Sequence, residues 1–183
     1  MRTLVVDLET SNLSADIGSL LVACFGELGP DGTIVETHSK DLLDITSKRA
    51  SVERREKLLA EWTRDMWESA DIIIGHNSKA FDRNFLQGVM FRQGLGMLNR
   101  NVLHVDTYMT ARGQLRMSGR MANLVDIFKI GEKDAPHKDD WRAANHLDPD
   151  ALARIRERCV SDVEMTAKMW ETLKPIYIAR WGK

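Results

Sequence analysis

The sequence has little cysteine: only Cys24 and Cys159 occur among its 183 residues. Two cysteines are too few for a disulfide framework, and the chain has no Cys-x-x-Cys pair that would indicate a zinc site. Long hydrophobic runs are missing too, because the longest, LLVACF, falls far short of the roughly 20 residues of a membrane span. These absences predict a soluble protein of a reducing cytoplasm, with no membrane partner.

A strong excess of one charge is also missing. The 26 Lys and Arg residues nearly balance the 27 Asp and Glu residues, which leaves a formal net charge of −1. A domain dedicated to binding duplex nucleic acid is usually much more basic. Any nucleic-acid partner must therefore be short, be gripped locally, or be held through metal ions.

The length and a hydrophobic content of 43% favour one domain over residues 1–183, with a core that needs no disulfide. We find no internal repeat, no low-complexity stretch and no signal-peptide pattern. Apolar runs bounded by turn residues predict strands at residues 2–9, 19–27, 32–38, 71–75 and 101–107. The turn sequence GPDG predicts that the second and third strands form an antiparallel hairpin.

Helical spacing of apolar residues predicts the remaining elements. One helix is expected over residues 51–69 with Ser51 as its cap, and another begins at Ser78. The strand at residues 101–107 leads into a third helix, and a fourth covers residues 120–131 and ends at Gly131. Residues 132–150 are polar and predict a loop, and a long helix follows from about residue 150 to 173, with a break near Cys159. Strands that then alternate with helices predict an α/β or α+β layer fold with a mixed sheet.

Two acids end the first predicted strand, LVVDLET. Alternation places Asp7 and Glu9 on one face, roughly 7 Å apart along the strand, and Leu4, Val6 and Leu8 on the other. Neighbouring carboxylates repel each other, and Mg²⁺ or Mn²⁺ would remove that repulsion because these cations prefer carboxylate oxygens. The alternative is that the two acids only mark the end of the strand, and this motif alone favours that alternative.

A third acid follows the buried strand DIII. Asp82 shares a helix face with Phe85, Leu86 and Val89, where an acid is less expected than on a solvated face. The alternative, about equally supported, is a first-turn acid that complements the helix dipole.

A fourth acid lies on the last helix. Asp162 lies at the edge of the inward stripe, whereas Glu164 points away from it. The alternative for Asp162 is a surface ion pair with Arg158, four residues earlier, worth a few tenths of a kcal/mol. The stripe itself is formed by Cys159, Val163, Thr166 and Trp170.

Taken together, three segments resemble a known set of motifs. VVDLETS, GHNSKAFD and CVSDVEMT resemble the three exonuclease motifs of the DEDD superfamily of 3′–5′ exonucleases, the DnaQ-like nucleases. LHVDTYM and MANLVDIFKIG resemble the segments between them, so the similarity covers nearly the whole chain. The resemblance implies an RNase H-like α/β fold, with a mixed central sheet of about five strands flanked by helices.

The resemblance also implies an activity. Asp7, Glu9, Asp82 and Asp162 would hold two Mg²⁺ or Mn²⁺ ions and carry the catalysis. The chain would hydrolyse phosphodiester bonds at the 3′ end of single-stranded DNA or RNA and release nucleoside 5′-monophosphates. A polymerase or another replication or repair protein is a candidate partner, because proofreading would need a partner chain.

Further site residues follow from the same resemblance. Thr10 and Ser11 would approach the terminal nucleotide, and Asn77 and Phe81 would shape its pocket. Core packing is an equal alternative for Phe81.

The third motif departs from the family pattern. The family places a His five residues, or a Tyr four residues, before the last Asp, and this chain has Glu157 and Arg158 there. The stretch RCVSD otherwise matches the YC-x-x-D of the Tyr branch, so the chain is closest to that branch, with Arg at the Tyr position. Arg158 cannot act as a general base, but it could clamp a phosphate or stabilise transition-state charge.

The Tyr branch often has a Lys in the preceding loop, and APHKDDW resembles that stretch. Lys138 would then contact the scissile phosphate or position the water, with His137 as the weaker candidate. For His137 a solvated loop residue is the favoured alternative.

Two further functions stay open beside the active exonuclease. One is a catalytically weak or inactive exonuclease fold that binds nucleic acid, which Arg158 keeps in consideration. Four clustered carboxylates argue against it, because they are costly without metal. The other is endonucleolytic trimming of structured RNA.

Overall fold

The computed structural model describes residues 1–45, 49–98, 102–132 and 138–181, except for the side chains of residues 138, 180 and 181. In this part of the chain, five strands form one sheet: β1 (Thr3–Thr10), β2 (Leu20–Leu28), β3 (Ile34–Asp41), β4 (Ile72–Gly75) and β5 (Leu103–Asp106). No helix among these residues is long and apolar enough to cross a membrane.

The sheet has the order β3-β2-β1-β4-β5 and is mixed. β2 pairs antiparallel with both β1 and β3, which confirms the predicted hairpin. β4 pairs parallel with both β1 and β5. Because the carboxyl ends of β1, β4 and β5 meet at one edge, residues that follow these three strands come close together.

Among the described residues, six helices flank the sheet: α1 (Val52–Glu68), α2 (Asp82–Arg92), α3 (Thr107–Leu115), α4 (Met121–Phe128), α5 (Lys138–Asn145) and α6 (Pro149–Trp181). The Ser51 side chain accepts a hydrogen bond from the Arg54 N–H at the start of α1, as predicted from the sequence. The five-stranded mixed sheet flanked by helices is therefore confirmed.

The core is centred on β1, which is buried on both faces. Leu4 and Val5 point to opposite faces of the strand, and neither is exposed to solvent. The long helix α6 packs across β1 and β2. A second, smaller cluster joins α3, α4 and α6 through Ala111, Met121, Leu124, Met165, Met169 and Leu173.

Three predicted helix boundaries are wrong. The last helix, α6, ends at Trp181 and not at about residue 173. α2 begins at Asp82, not at Ser78, because the Ser78 hydroxyl contacts His104 Nε2 at 2.8 Å and residues 77–81 form a turn. α4 ends at Phe128, three residues before Gly131. Lys129 adopts a left-handed φ of 54° there, and its N–H bonds the carbonyls at the end of the helix.

The predicted loop over residues 132–150 is also wrong in part, because it contains α5 and the start of α6. Its residues 133–137 lie outside the described residues. The predicted break near Cys159 is absent, since α6 runs without interruption for 33 residues. Ile155, Cys159 and Val163 recur every four residues and are all buried, so one continuous stripe holds this helix against the sheet.

Candidate functional site

Three of the four predicted acids come together at the carboxyl end of β1. Asp7, Glu9 and Asp162 each offer one carboxylate oxygen, and these oxygens lie within 4.8 Å of one another. The packing of α6 on β1 brings Asp162 there. One helical turn earlier, the Cys159 thiol donates a hydrogen bond to the Asp7 carbonyl oxygen at 3.3 Å.

Asp82 lies beside these three acids and also forms a hydrogen bond with the β1 backbone. The pairing of β1 with β4 ends at Val5, and farther along the strand the Leu8 N–H donates to Asp82 Oδ1 at 2.9 Å. The buried carboxylate thus replaces a strand partner that β4 is too short to provide. Because Leu8 lies between Asp7 and Glu9, Asp82 fixes the backbone that carries both acids.

Burial and the crowding of acids raise the pKa values of Asp7 and Asp82. Burial raises the pKa of Asp7 well above its usual 3.8, and the charges of Asp82, Glu9 and Asp162 raise it further. Burial, with the neighbouring Asp106 and Glu9, raises the pKa of Asp82 to about 7, against the opposing bond from Leu8. A bound cation would remove the repulsion that contributes to both shifts.

Arg158 lies inside the acid group and not on the open surface. Its Nε is 3.2 Å from Glu9 Oε1, and its Nη2 is 3.5 Å from Asp162 Oδ2. The Arg158 side chain is 23% exposed. The alternative of a simple surface pair with Asp162 is therefore incomplete, because Arg158 bridges two acids that come from β1 and α6.

A tryptophan that sequence analysis missed completes this arrangement. The indole N–H of Trp141 donates to Glu9 Oε2 at 3.0 Å, and the Arg158 guanidinium carbon lies 5.8 Å from the ring centroid. Trp141 belongs to α5, which an ion pair between Asp140 and Arg154 of α6 holds in place at 2.7 Å. A large aromatic residue in the otherwise polar stretch KDDWRAAN was the available signal.

The predicted nucleotide-contacting hydroxyls take part in loop structure. Thr10 Oγ1 donates to the Asn12 carbonyl at 2.8 Å, and Ser11 Oγ accepts from the Ser19 N–H at 2.9 Å. Both residues directly follow Glu9 on the chain. Their contact with a nucleotide stays a prediction.

Asn77 and Phe81 lie in the segment between β4 and α2. Asn77 has a left-handed φ of 62°, and Phe81 is half-buried, with its ring centroid 5.7 Å from that of Phe85. Phe81 thus packs against the core, as the alternative interpretation expected. Part of its ring is exposed, and its contact with a nucleotide stays a prediction. The Lys138 side chain and His137 lie outside the described residues.

Asp106, at the carboxyl end of β5, is a second residue that sequence analysis missed. Its Oδ1 accepts from the backbone N–H groups of Asn77 at 3.0 Å and Met109 at 3.2 Å, and its Oδ2 accepts from that of Lys79 at 2.9 Å. One buried carboxylate thus caps α3 and holds the segment after β4. The signal available in the sequence was an Asp directly between a strand and a helix.

Replacement of Asp106 by Ala should lower the free energy of unfolding by about 2–3 kcal/mol, because three backbone donors lose one buried acceptor. Chemical denaturation would measure this loss. Asp106→Asn keeps one acceptor oxygen and should lose less, and Asp126→Ala on the exposed face of α4 should change little. Equal stability of Asp106→Ala and wild type would contradict the assignment.

Comparisons with known proteins show similarity in fold. No family model matches the sequence, and no curated protein matches it. Among similar solved structures is the family B DNA polymerase from the hyperthermophilic archaeon Pyrobaculum calidifontis, with a TM-score of 0.72 and 17% sequence identity. The similarity covers 97% of this chain and 25% of the polymerase chain, so this chain spans a quarter of that protein's length. The chain therefore shares its fold with a part of that DNA polymerase.

Proposed function

We propose that the chain is a metal-dependent 3′–5′ exonuclease of the DEDD superfamily, with an RNase H-like fold and one domain over residues 1–183. It hydrolyses single-stranded DNA or RNA from the 3′ end and releases nucleoside 5′-monophosphates. The observation that carries this proposal is the convergence of Asp7, Glu9 and Asp162 within 4.8 Å. A replication or repair protein, such as a polymerase, is the proposed partner.

The donor set fits divalent metal ions. Three carboxylate oxygens converge, and carboxylates are the ligands that Mg²⁺ and Mn²⁺ prefer. Asp7, Glu9 and Asp162 would hold the ions, with Asp82 beside them. Two such ions, when bound, activate the attacking water and stabilise the leaving 3′ oxygen.

Other residues position the acids and the substrate. Asp82 holds β1 at Leu8, and thereby orients the two acids on either side of Leu8. Thr10, Ser11 and Asn77 follow the carboxyl ends of the parallel strands β1 and β4, where ligands of such sheets bind. They are proposed, with Phe81, to contact the terminal nucleotide.

Arg158 and Lys138 are the proposed contacts of the scissile phosphate. A guanidinium can bond two phosphate oxygens at once, and its charge is retained at any working pH. Arg158 already lies among the carboxylates, where that phosphate would have to bind.

Cleavage of 5′-labelled single-stranded DNA and RNA tests the proposal directly. With Mg²⁺ or Mn²⁺, products should shorten stepwise from the 3′ end, and EDTA should stop the reaction. Asp7→Ala should be inactive, whereas Asp126→Ala, which changes an exposed acid of α4, should cleave as wild type does. If no metal-dependent shortening occurs on either substrate, or if internal fragments appear first, the exonuclease proposal is wrong.

A second candidate function is a nucleic-acid-binding module with weak or no catalysis. The contacts of Arg158 with Glu9 and Asp162 favour it, because they place a positive charge on two of the three acids that metal ions would need. Fluorescence anisotropy with a labelled oligonucleotide separates the two candidates. Binding that EDTA leaves unchanged, without cleavage, would support the module.

A further inference from the structure

The Arg158 side chain supplies positive charge where the proposed metal ions would supply it. It lies 3.2 Å from Glu9 and 3.5 Å from Asp162, two of the three acids that converge. Glu9 is engaged through both oxygens, since Oε1 faces Arg158 and Oε2 accepts from Trp141. A divalent cation bound by these three acids would have to share two of them, Glu9 and Asp162, with the Arg158 guanidinium.

Such sharing is unfavourable. Two cations held a few ångströms apart repel each other strongly in a partly buried site, because little water screens them. A carboxylate whose charge Arg158 already compensates attracts a further cation less strongly. Arg158 and a divalent cation therefore exclude each other at Glu9 and Asp162.

The fold allows the Arg158 side chain to move away from the acids. Its backbone belongs to the continuous helix α6, so the helix need not move for the side chain to change position. The side chain is 23% exposed and thus reaches the surface. The Trp141 ring lies beside the guanidinium and is itself only half-buried, so it does not seal the site.

We propose that Arg158 is an internal counter-ion that competes with divalent cations for Glu9 and Asp162. In the metal-free protein its single positive charge compensates part of the negative charge of these two acids, and it leaves them before a cation is held there. The inference rests on the proposed function. It adds a regulation of metal binding, and it agrees with the proposed contact between Arg158 and the scissile phosphate, which Arg158 can make only after it leaves the acids.

Calorimetric titration of the metal-free protein with Mn²⁺ alone tests the competition. Arg158→Gln should bind Mn²⁺ about tenfold or more tightly than wild type, because no ion pair has to be broken. Arg158→Lys keeps the charge but loses the planar fork, so its affinity should fall between the two. Lys168→Gln removes one positive charge from an exposed position of the same helix and should bind as wild type does.

Thermal melting gives a second readout. Without metal, Arg158→Gln should melt below wild type, because two neighbouring acids lose their counter-ion. Saturating Mn²⁺ should raise its melting temperature by more than it raises that of wild type. If metal-free Arg158→Gln does not fold, the comparison of Arg158→Lys with wild type decides the question.

The failure of this inference can be distinguished from the failure of the proposed function. Mn²⁺ affinities of Arg158→Gln and Arg158→Lys equal to or weaker than wild type would overturn the competition, even where wild type cleaves DNA or RNA. Absence of Mn²⁺ binding in wild type and in both variants would overturn the competition and the metal-dependent function together.

Discussion

Asp7→Asn is expected to abolish cleavage and to stabilise the metal-free protein. The substitution removes a metal ligand, so the cleavage rate should fall by about a thousandfold or more. It also removes a charge that burial and three neighbouring acids oppose, as the raised pKa of Asp7 indicates. The melting temperature in EDTA should therefore rise above that of wild type, although the enzyme is inactive.

The stabilisation should depend on pH with a definite sign. The folded-state pKa values of Asp7 and Asp82 lie above 3.8, so the folded protein keeps these protons to higher pH than the unfolded chain. The two protonated carboxyls therefore stabilise the folded protein fully at a pH below their pKa in the unfolded chain. This stabilisation is lost as the pH rises, and for Asp82 the loss extends to a pH of about 7, its pKa in the folded protein. Asp7→Asn should consequently gain more over wild type at about pH 8 than at about pH 4.

Thermal melts in EDTA at several pH values measure this difference, and the nuclease assay supplies the activity. Asp126→Asn is the matched control, because it neutralises an exposed acid away from the group. An Asp7→Asn protein that melts below wild type throughout this pH range would refute the electrostatic strain assigned to the site.

Glu56→Ala should cause the largest loss of stability, about 3–5 kcal/mol, because it removes the buried partner of a partly buried ion pair and leaves the other donors to its carboxylate unsatisfied. Glu56 is 3% exposed on α1, and its carboxylate accepts from Arg92 at 2.7 Å, from the Gln93 side chain at 3.0 Å and from the Leu20 N–H at 3.0 Å. A cavity adds to the cost. Urea denaturation measures the change.

The effect should extend to the segment that follows β1. Arg92 also donates to the carbonyls of Ala15 and Gly18, so Glu56 holds residues 15–18 through it. Glu56→Gln should lose less stability than Glu56→Ala, because it keeps an acceptor for Leu20. Glu53→Ala, at an exposed position of the same helix, should cost only a few tenths of a kcal/mol. A Glu56→Ala protein within about 1 kcal/mol of wild type would contradict this assignment.

Much of the sheet could be predicted because its strands are short apolar runs with clear ends. The helix α5 could not, because its residues KDDWRAAN form no continuous apolar stripe. Its described contacts are tertiary, through Trp141 to Glu9 and through Asp140 to Arg154. The apolar face of this two-turn helix is also short, since Trp141 and the buried Ala144 lie three residues apart, so its periodic signal spans too few residues to be recognised.

The four acids could be predicted from their motifs, but their contacts could not. Spacing on a helix allowed Arg158 to reach Asp162, and only the packing of α6 on β1 shows that Glu9 is equally near. The same holds for Asp106, whose acceptor role depends on the parallel pairing of β4 with β5. The sequence identifies the chemical groups, whereas the packing of helices and strands against one another determines which of these groups come into contact.

The backbone conformation at position 77 limits which residue types can occupy it, independently of any substrate. The left-handed conformation of Asn77 is accessible to Gly, Asn and Asp, and it is costly for β-branched residues. The Asn77 carbonyl also accepts from the N–H groups of Ala80 and Phe81, which shapes the turn before α2. Homologues should therefore favour these three residue types whether or not they cleave nucleic acid. An invariant residue at this position would therefore be explained by selection for folding as well as by selection for nucleotide binding.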